Sequence, residues 1–546
     1  MPSLTKFDES FAKLNPSQRK AVDTIDGPVM VVAGPGSGKT EILSLRVANI
    51  LRRTDMSPGN ILCLTFTDAA SVNMRKRLVG MIGNNAYRVS INTFHSFGVE
   101  IINSYPEYFF GGASLLPADQ LATIRILENI FSELPHDNPL SSVFDDSYTY
   151  LKDVKSAIGH LKKGGLDPEE FRVILIENAK FIAYANPILS PVISERISKK
   201  MFPEIEALLP ELRKYKTENL EMIHPLQNLV IESLSRAVNE SETEDSTKPL
   251  SEWKKEWTEK NDDGQTVLKG TAGQIKLSAL ADVYQKYQEA MRKEGYYDFD
   301  DMILDVIHSL AKNASLRYEL QERYQYLLVD EFQDTNDAQM RLIRLLTDAA
   351  VNEGRPNIMV VGDDDQAIYK FQGADISNIL SFKEMYRDPI IITMTDNYRS
   401  TQKILDLARH IILKGDERLE NRIPEMVKDL RAGNKNIPEG NIVRKSFRTR
   451  LDEFNFIAKE IKKIITEGKN PNDIAVICRK HSELEGMVPF LNKHGIPVRY
   501  DRKQNVFHEP HVRELIILSR FISSLGRKNA DEADEYLPEI IAFPFW

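Results

Sequence analysis

Cysteine is almost missing from this chain: only Cys63 and Cys478 occur, far apart and each inside an apolar run, NILCLTF and IAVICRK. That scarcity excludes a disulfide framework and a cysteine-ligated zinc site, and it fits a reducing, cytoplasmic compartment. A cationic start leading into an apolar segment is also missing from the N-terminus, MPSLTKFDES, and no apolar run approaches the length that spans a bilayer. The reading is therefore of a protein neither secreted nor inserted in a membrane. Positive charge is not in excess, with a formal net charge of −9 and a pI near 5.8, which argues against an evenly basic nucleic-acid binder. Local stripes are what matter for phosphate contacts, and the sequence has LRR at 51–53, MRKRL at 74–78, KSAIGHLKKGG at 155–165 and ELRKYK at 211–216. Each of these alone reads as a solvated helix face. No internal repeat at a fixed period is present. With 42% hydrophobic and 28% charged residues over 546 positions, the chain is of the soluble globular class and long enough for about three to four compact units.

The first hundred residues alternate short apolar strands (PVMVVA, NILCLTF, YRVSINTF) with helical patterns (TEILSLRVANILRR, AASVNMRKRLVGMI), the signature of a parallel sheet wrapped by helices. From 111 to 279 the pattern is helical, broken by the acidic stretch NESETEDSTKPLSE at 239–252, which reads as a mobile loop. Strands return at YQYLLVDEF, NIMVVGDDD and PIIITMTDN, so the helical block reads as an insertion into one α/β domain. A further region from 386 has its own strand and helix alternation, in DIAVICRK, IPVRYD and HVRELIILSRFISSL. The expected division is 1–110 and 280–385 for the first α/β domain, 111–279 for the insertion and 386–546 for a second domain.

In VVAGPGSGKTEILSLR a strand runs into a glycine-rich loop and then a helix. The backbone N–H groups of such a loop, together with the helix N-terminus, form a cradle for phosphate. The loop comprises Ala33, Gly34, Pro35, Gly36, Ser37, Gly38, Lys39 and Thr40; Lys39 is expected at the β/γ-phosphates and Thr40 on Mg2+. The strict pattern wants glycine where Ala33 stands, so this is its relaxed form. In YQYLLVDEFQDT, Asp330 and Glu331 fall at a strand's C-terminal edge, where ligands of open α/β sheets gather. Asp330 is expected to hold Mg2+ through water, and Glu331 to orient and deprotonate the attacking water. Gln18, in LNPSQRKAV, has an amide able to read an adenine edge, or it is a solvated helix residue. The segment MVVGDDDQAIYKFQGA (359–374) combines three carboxylates, a glutamine and two aromatics. Carboxylates suit a metal-phosphate site, and aromatics suit a stacking surface for bases or an ordinary core, so such a segment can connect two ligands.

Taken together, these residues closely resemble the UvrD/Rep/PcrA family of superfamily 1 DNA helicases. Matching signatures run from LNPSQ (14–18) through AGPGSGKT (33–40), TFTDAA (65–70), TFHSF (93–97), YDFDDMI (297–303), VDEFQDT (329–335) and VGDDDQAIYKFQGA (361–374) to NYRS (397–400). The resemblance implies an α/β fold: a RecA-like P-loop NTPase sheet, domain 1A, with a large helical insertion, 1B, followed by part of a second RecA-like domain, 2A. It implies an ATP-dependent 3′ to 5′ DNA helicase or translocase that uses ATP and Mg2+, acts on single-stranded DNA and strand junctions, and serves repair, replication or recombination. Gln366 is then expected to sense the γ-phosphate and Asp365 to help hold the site, while Tyr369 and Phe371 lie toward the bases unless they are core aromatics. Thr65, Phe66, Thr93 and His95 are carried over as DNA contacts. Tyr398 matches the aromatic that stacks on adenine, and Arg399 an arginine that reaches the γ-phosphate.

Glu41, Ala69 and Phe371-Gln372 depart from the common pattern, where relatives often carry arginine, lysine and Trp-Arg. The first leaves nucleobase discrimination open, and the other two imply weaker DNA contact in the first domain. Two later family motifs have no counterpart before Trp546, so the chain is expected to be the N-terminal portion of such a protein and weakly active alone. A helicase-nuclease motor and an ATP-gated DNA-binding adaptor that does not unwind are the alternative readings.

Overall fold

The runs VMVVA, ILCLT, YLLV and IMVVG have no polar side, as suits strands covered on both faces. The computed structural model describes residues 3–109, 115–144, 147–217, 225–261, 264–270, 273–368, 377–415, 418–422, 426–499, 510–526 and 530–543. It divides into two compact units, Met1–Gly440 and Asn441–Trp546. In the first unit six strands form one sheet: β1 Val29–Ala33, β2 Ile61–Thr65, β3 Ser90–Thr93, β4 Tyr326–Val329, β5 Ile358–Gly362 and β6 Ile390–Met394. Their order is β6-β1-β5-β4-β2-β3 and every adjacent pair is parallel. Alternate residues feed two cores. Met30, Val32, Leu62 and Leu64 pack with Phe94, Phe97 and Ile303 on one face. Val29, Val31, Ile61 and Cys63 pack with Ile42, Leu45 and Leu78 on the other.

Successive strands that run parallel in one sheet need crossovers, and helices supply them. Lys39–Arg53 joins β1 to β2, Asp68–Ile82 joins β2 to β3, and Asp337–Thr347 joins β4 to β5. The sequence division at 386 needs correction, because Ile390–Met394 belongs to the first sheet, with Val29 opposite Ile390 and Ala33 opposite Met394. The apolar run IIITM covers what would otherwise be a bare edge of β1.

Between β3 and β4 the chain leaves the sheet for a set of helices from Gln120–Ser132 to Gln274–Lys293, with two cores of their own. The acidic stretch expected as a loop is mostly helix: Leu226–Thr243 and Lys248–Trp257 leave only a short turn between them. Ser241 Oγ accepts the Leu250 N–H at 3.2 Å, and Leu250 fills the core, which closes the turn tightly.

The insertion is fastened to the α/β body by buried charge. Lys162 is 0% exposed, its ammonium 2.7 Å from Asp301 and 3.3 Å from Asp298, with the Tyr287 ring centroid 5.0 Å away. Burial works against that charge, but the two carboxylates outweigh it and hold the lysine above its ordinary pKa. Nearby, Arg341 donates to the Gly165 carbonyl at 3.0 Å and pairs with Glu170 at 2.8 Å.

The second unit, described by itself, packs helices Arg450–Thr466 and His481–Lys493 around Phe454, Ala458, Ile461, Met487 and Leu491. The strands expected in DIAVICRK and IPVRYD do not form among the described residues, and Ile477 is 91% exposed. An extended apolar run without a neighbour has no ladder to join.

Removing the cation at Lys162 strands two carboxylates in the junction. Lys162→Met is expected to cost ~3–5 kcal/mol, the range for breaking a buried pair from one side. Urea unfolding followed by far-ultraviolet circular dichroism measures it, and a loss under ~1 kcal/mol would show that the junction does not depend on this pair.

Candidate functional site

Because the six strands are parallel, the segments that follow them leave the sheet at one edge, and the motif residues follow the strands. The loop after β1 requires left-handed backbone at Gly36 (φ 70°) and Gly38 (φ 89°), the latter capping helix Lys39–Arg53. A Cβ on Gly36 would stand 2.7 Å from the Cβ of Arg399 and 2.8 Å from Asn397 Nδ2, so the NYRS segment lies directly on the loop. The contact is hydrogen-bonded as well as close. Tyr398 N–H donates to the Gly36 carbonyl at 2.9 Å, and Asn397 Nδ2 donates to the Pro35 carbonyl. Asn397 Oδ1 accepts from the N–H groups of Arg399 and Ser400 at 2.9 and 2.7 Å. Tyr398 Oη accepts from Asn15 Nδ2 at 3.1 Å, and the Arg399 side chain is exposed.

Within the loop, Ser37 Oγ donates to the Gly34 carbonyl at 2.6 Å, and Ala33 is the buried end of β1. Gln18 reaches the same place but with both ends of its amide engaged. Its Oε1 accepts the Asn15 N–H at 3.0 Å in a capping box, and its Nε2 donates to the Ser37 carbonyl at 2.9 Å. Reading an adenine edge needs both ends, so in this arrangement Gln18 is a buttress of the glycine-rich loop.

Lys39 Nζ lies 2.7 Å from Glu331 Oε2, across from β4. Glu331 takes a left-handed conformation (φ 48°, ψ 48°) unusual for a residue with a side chain, a local strain of the kind found where geometry serves a site. Its N–H donates to Asp330 Oδ1 at 3.0 Å, and its Oε2 also accepts from Gln333 Nε2 at 2.9 Å. Asp330 is buried; burial first and the Glu331 charge second push its carboxyl up to about 6, against the pull of Lys39. The same causes push Asp334 up to about 6, and Asp334 Oδ1 is a buried oxygen with no hydrogen-bond partner among the described residues. Thr40 stands in the first turn of the helix that the loop opens.

The segment after β5 departs from a simple metal-phosphate reading. Asp363, Asp364 and Asp365 all surround the ammonium of Lys428, at 2.7, 2.5 and 2.9 Å. Arg418 grips Asp365 through Nε and Nη2 at 2.9 and 3.0 Å. Burial favours a neutral Asp365, but those two cations outweigh it and lower its pKa. Gln366 Nε2 donates to Asp363 Oδ2 at 2.6 Å. Tyr369 and Phe371 lie outside the described residues.

Of the residues carried over as DNA contacts, two turn inward. Thr65 is buried with its hydroxyl 2.5 Å from that of Ser71, and Thr93 Oγ1 caps helix Phe94–Ser104 by accepting the Ser96 N–H at 3.2 Å. These hydroxyls are occupied by the chain's own turns. Phe66 remains partly exposed after β2, and His95, 40% exposed, follows β3. The structure adds Phe299 beside His95, 59% exposed with its ring edge-on to the imidazole at 6.3 Å. Its signal in the sequence was a phenylalanine between aspartates in YDFDDMI, where an apolar residue facing water is unexpected. Asn397, Asp334, Arg418 and Lys428 were also missed, since their partners come from distant segments.

Comparison with known proteins agrees with this arrangement. Residues 14–387 match the UvrD/REP helicase N-terminal domain, and residues 392–530 match the UvrD-like helicase C-terminal domain. The chain is 30% identical over 529 residues to "ATP-dependent DNA helicase UvrD1" of Mycobacterium tuberculosis, covering 96% of this chain and 54% of that protein. It is 28% identical over 512 residues to "ATP-dependent DNA helicase PcrA" of Staphylococcus epidermidis, covering 94% and 54%. The chain thus spans about half the length of the curated relatives it matches. With the family match covering most of its residues and its motif residues following the strands of a single parallel sheet, the chain belongs to the UvrD/REP helicase family.

Proposed function

We propose that this chain carries the motor of an ATP-dependent DNA helicase that moves 3′ to 5′ along single-stranded DNA, with residues 111–279 as its inserted helical domain. The observation that carries the reading is the Lys39–Glu331 contact at 2.7 Å, which brings a phosphate-loop cation and a strand-end carboxylate to one point. Lys39 can exchange a carboxylate partner for phosphate oxygens, which leaves Glu331, still held by Gln333, to take a proton from water. Arg399, exposed beside Gly36, is suited to the charge that develops on the transferred phosphoryl group.

Asp330 and Thr40 are the residues that would hold Mg2+, and the unpartnered buried oxygen of Asp334 fits a hydrated cation nearby. A bound Mg2+ neutralises phosphate charge during transfer. On the far side of the sheet order, Phe66 after β2 and His95 after β3, with Phe299 against His95, supply rings for bases. DNA repair, replication or recombination is the setting this activity suits.

Glu331→Gln is expected to abolish ATP hydrolysis and retain nucleotide binding, because the amide keeps the shape and loses the base. Lys39→Ala removes charge at the phosphates and is expected to weaken binding itself. Titration with a fluorescent ATP analogue beside steady-state ATPase assays separates the two; equal loss of binding in both variants would count against these roles.

Asp330 must shed its proton to ligate a cation. With its pKa pushed up to about 6, the carboxylate is ionised at pH 7 and mostly protonated at pH 5. The Mg2+-dependent part of nucleotide affinity should therefore fall about tenfold between those values. Calorimetric titration of MgADP at both pH values tests this against Asp330→Asn, whose weaker binding should lack that component.

Phe299→Ala should weaken binding to single-stranded DNA by roughly 1–3 kcal/mol, the worth of one stacked base, with little dependence on base order. Fluorescence anisotropy with a labelled oligonucleotide reads it. An unchanged affinity would take Phe299 off the path of the strand.

A further inference from the structure

Three consecutive aspartates at the end of β5 are costly to place side by side, since like charges taken from water repel and lose hydration. The structure meets that cost with one ammonium shared by all three, helped at Asp365 by Arg418. A lysine ammonium has three donors, and Lys428 gives one carboxylate oxygen to each: Asp363 Oδ1, Asp364 Oδ1 and Asp365 Oδ2. The remaining oxygens are satisfied separately. Asp364 Oδ2 accepts the Leu419 N–H at 2.8 Å, Asp365 Oδ1 accepts Arg418 Nε, and Asp363 Oδ2 accepts Gln366 Nε2 at 2.6 Å. Lys428, Asp363 and Asp364 are all buried.

An ion cluster of this kind can serve only to pin the 418–430 segment to the sheet. Its position argues for more. A cavity of about 470 Å3 is lined by Gly34 and Pro35 of the phosphate loop together with Asp363, Gln366 and Lys428, so the cluster and the loop share one space. Within it the order of bonds is directional. Lys428 holds one oxygen of Asp363, the other oxygen holds the Gln366 NH2 group, and among the described residues Gln366 Oε1 meets no donor, so it is the end able to accept. An amide fixed in that sense can accept a hydrogen bond from water. Without Lys428, three carboxylates crowd together, at least one takes up a proton or swings away, and nothing sets which way the amide faces.

We propose that Lys428 is a positioning residue for ATP hydrolysis: acting through Asp363, it fixes the amide of Gln366 so that Oε1 can orient the attacking water, while nucleotide affinity is set elsewhere. This rests on the reading of the chain as an ATPase motor. It makes the hydrolytic step depend on a side chain 65 positions beyond Asp363, in the segment that follows NYRS.

The test compares DNA-stimulated ATPase and MgATP binding in the full chain for wild type, Lys428→Met, Gln366→Ala and the double variant. Lys428→Met is expected to lower kcat about 10- to 100-fold, the cost of a small misplacement in a site, with binding changed less than about threefold. The double variant should be no slower than Gln366→Ala alone, because both changes act on the same water. A purely structural lysine would not give that non-additivity. Lys428→Arg keeps the cation and so protects folding, but a planar guanidinium cannot direct one donor to each of three carboxylates. Its kcat should also fall, with binding intact. Losses that multiply in the double variant, loss of binding in place of kcat, or an unchanged kcat in both lysine variants would each overturn the proposal. A wild-type chain whose ATPase is absent, or is not abolished by Lys39→Ala, would overturn the ATPase reading and the proposal with it.

Discussion

Charge removed from water has to be partnered where it lies, and in this protein that requirement ties together segments far apart in the chain. Lys162 binds the helical insertion to the aspartates that lead back into the α/β body. Lys39 links the loop after β1 to the carboxylate after β4, and Lys428 binds the three aspartates after β5. Arg46, fully buried in the first crossover helix, is satisfied by the carbonyls of Ala21, Thr24 and Ile25, and so pins the segment that carries Gln18. Apolar packing makes the sheet stable; these cations decide which segments meet at its edge. Each is a pair or cluster whose cost is met only when both segments are in place, which favours one arrangement over near alternatives.

The strand order also sorts the two groups of site residues. The phosphate loop follows β1, flanked by β6 and β5, whereas Phe66 and His95 follow β2 and β3 at the other end of the sheet. β4 stands between them, and it carries Asp330 and Glu331. With neighbouring strands about 4.8 Å apart, the rings lie on the order of 15–20 Å from the phosphate loop. A small displacement of β4 relative to its neighbours is therefore felt by both groups.

Much of this was legible in the sequence because it depends on local pattern. Runs such as VMVVA and IMVVG can only be strands covered on both faces, and a glycine-rich loop ending in Gly38-Lys39-Thr40 between strand and helix has few other uses. What was not legible depends on pairing at a distance. The three aspartates suggested metal ligands, because nothing nearby indicates that Lys428 will supply their charge. Thr65 and Thr93 looked available, but a hydroxyl at the end of a strand is readily taken by the turn that follows. Residues 239–252 looked mobile from composition, whereas burial of Leu250 and the bond to Ser241 fix most of them as helix. The boundary at 386 cut off PIIITMTDN, although its pattern groups it with the strands of the first domain; only its pairing with β1 shows where that sheet ends.

That strand order has a consequence for how the protein is made. β1 is not adjacent to β2; its partners are β5 and β6, and Val29 pairs with Met359 and Ile390. Of the first three strands to emerge from a ribosome, only β2 and β3 can join at once. At roughly 5–20 residues per second, β1 stands with both edges open for on the order of a quarter of a minute to a minute before its neighbours are synthesised. Throughout that interval an apolar strand ending in the glycine-rich loop needs shielding, as by a chaperone, and the edge of the sheet where that loop meets the segments after β5 and β6 is among the last parts of the first unit to be assembled.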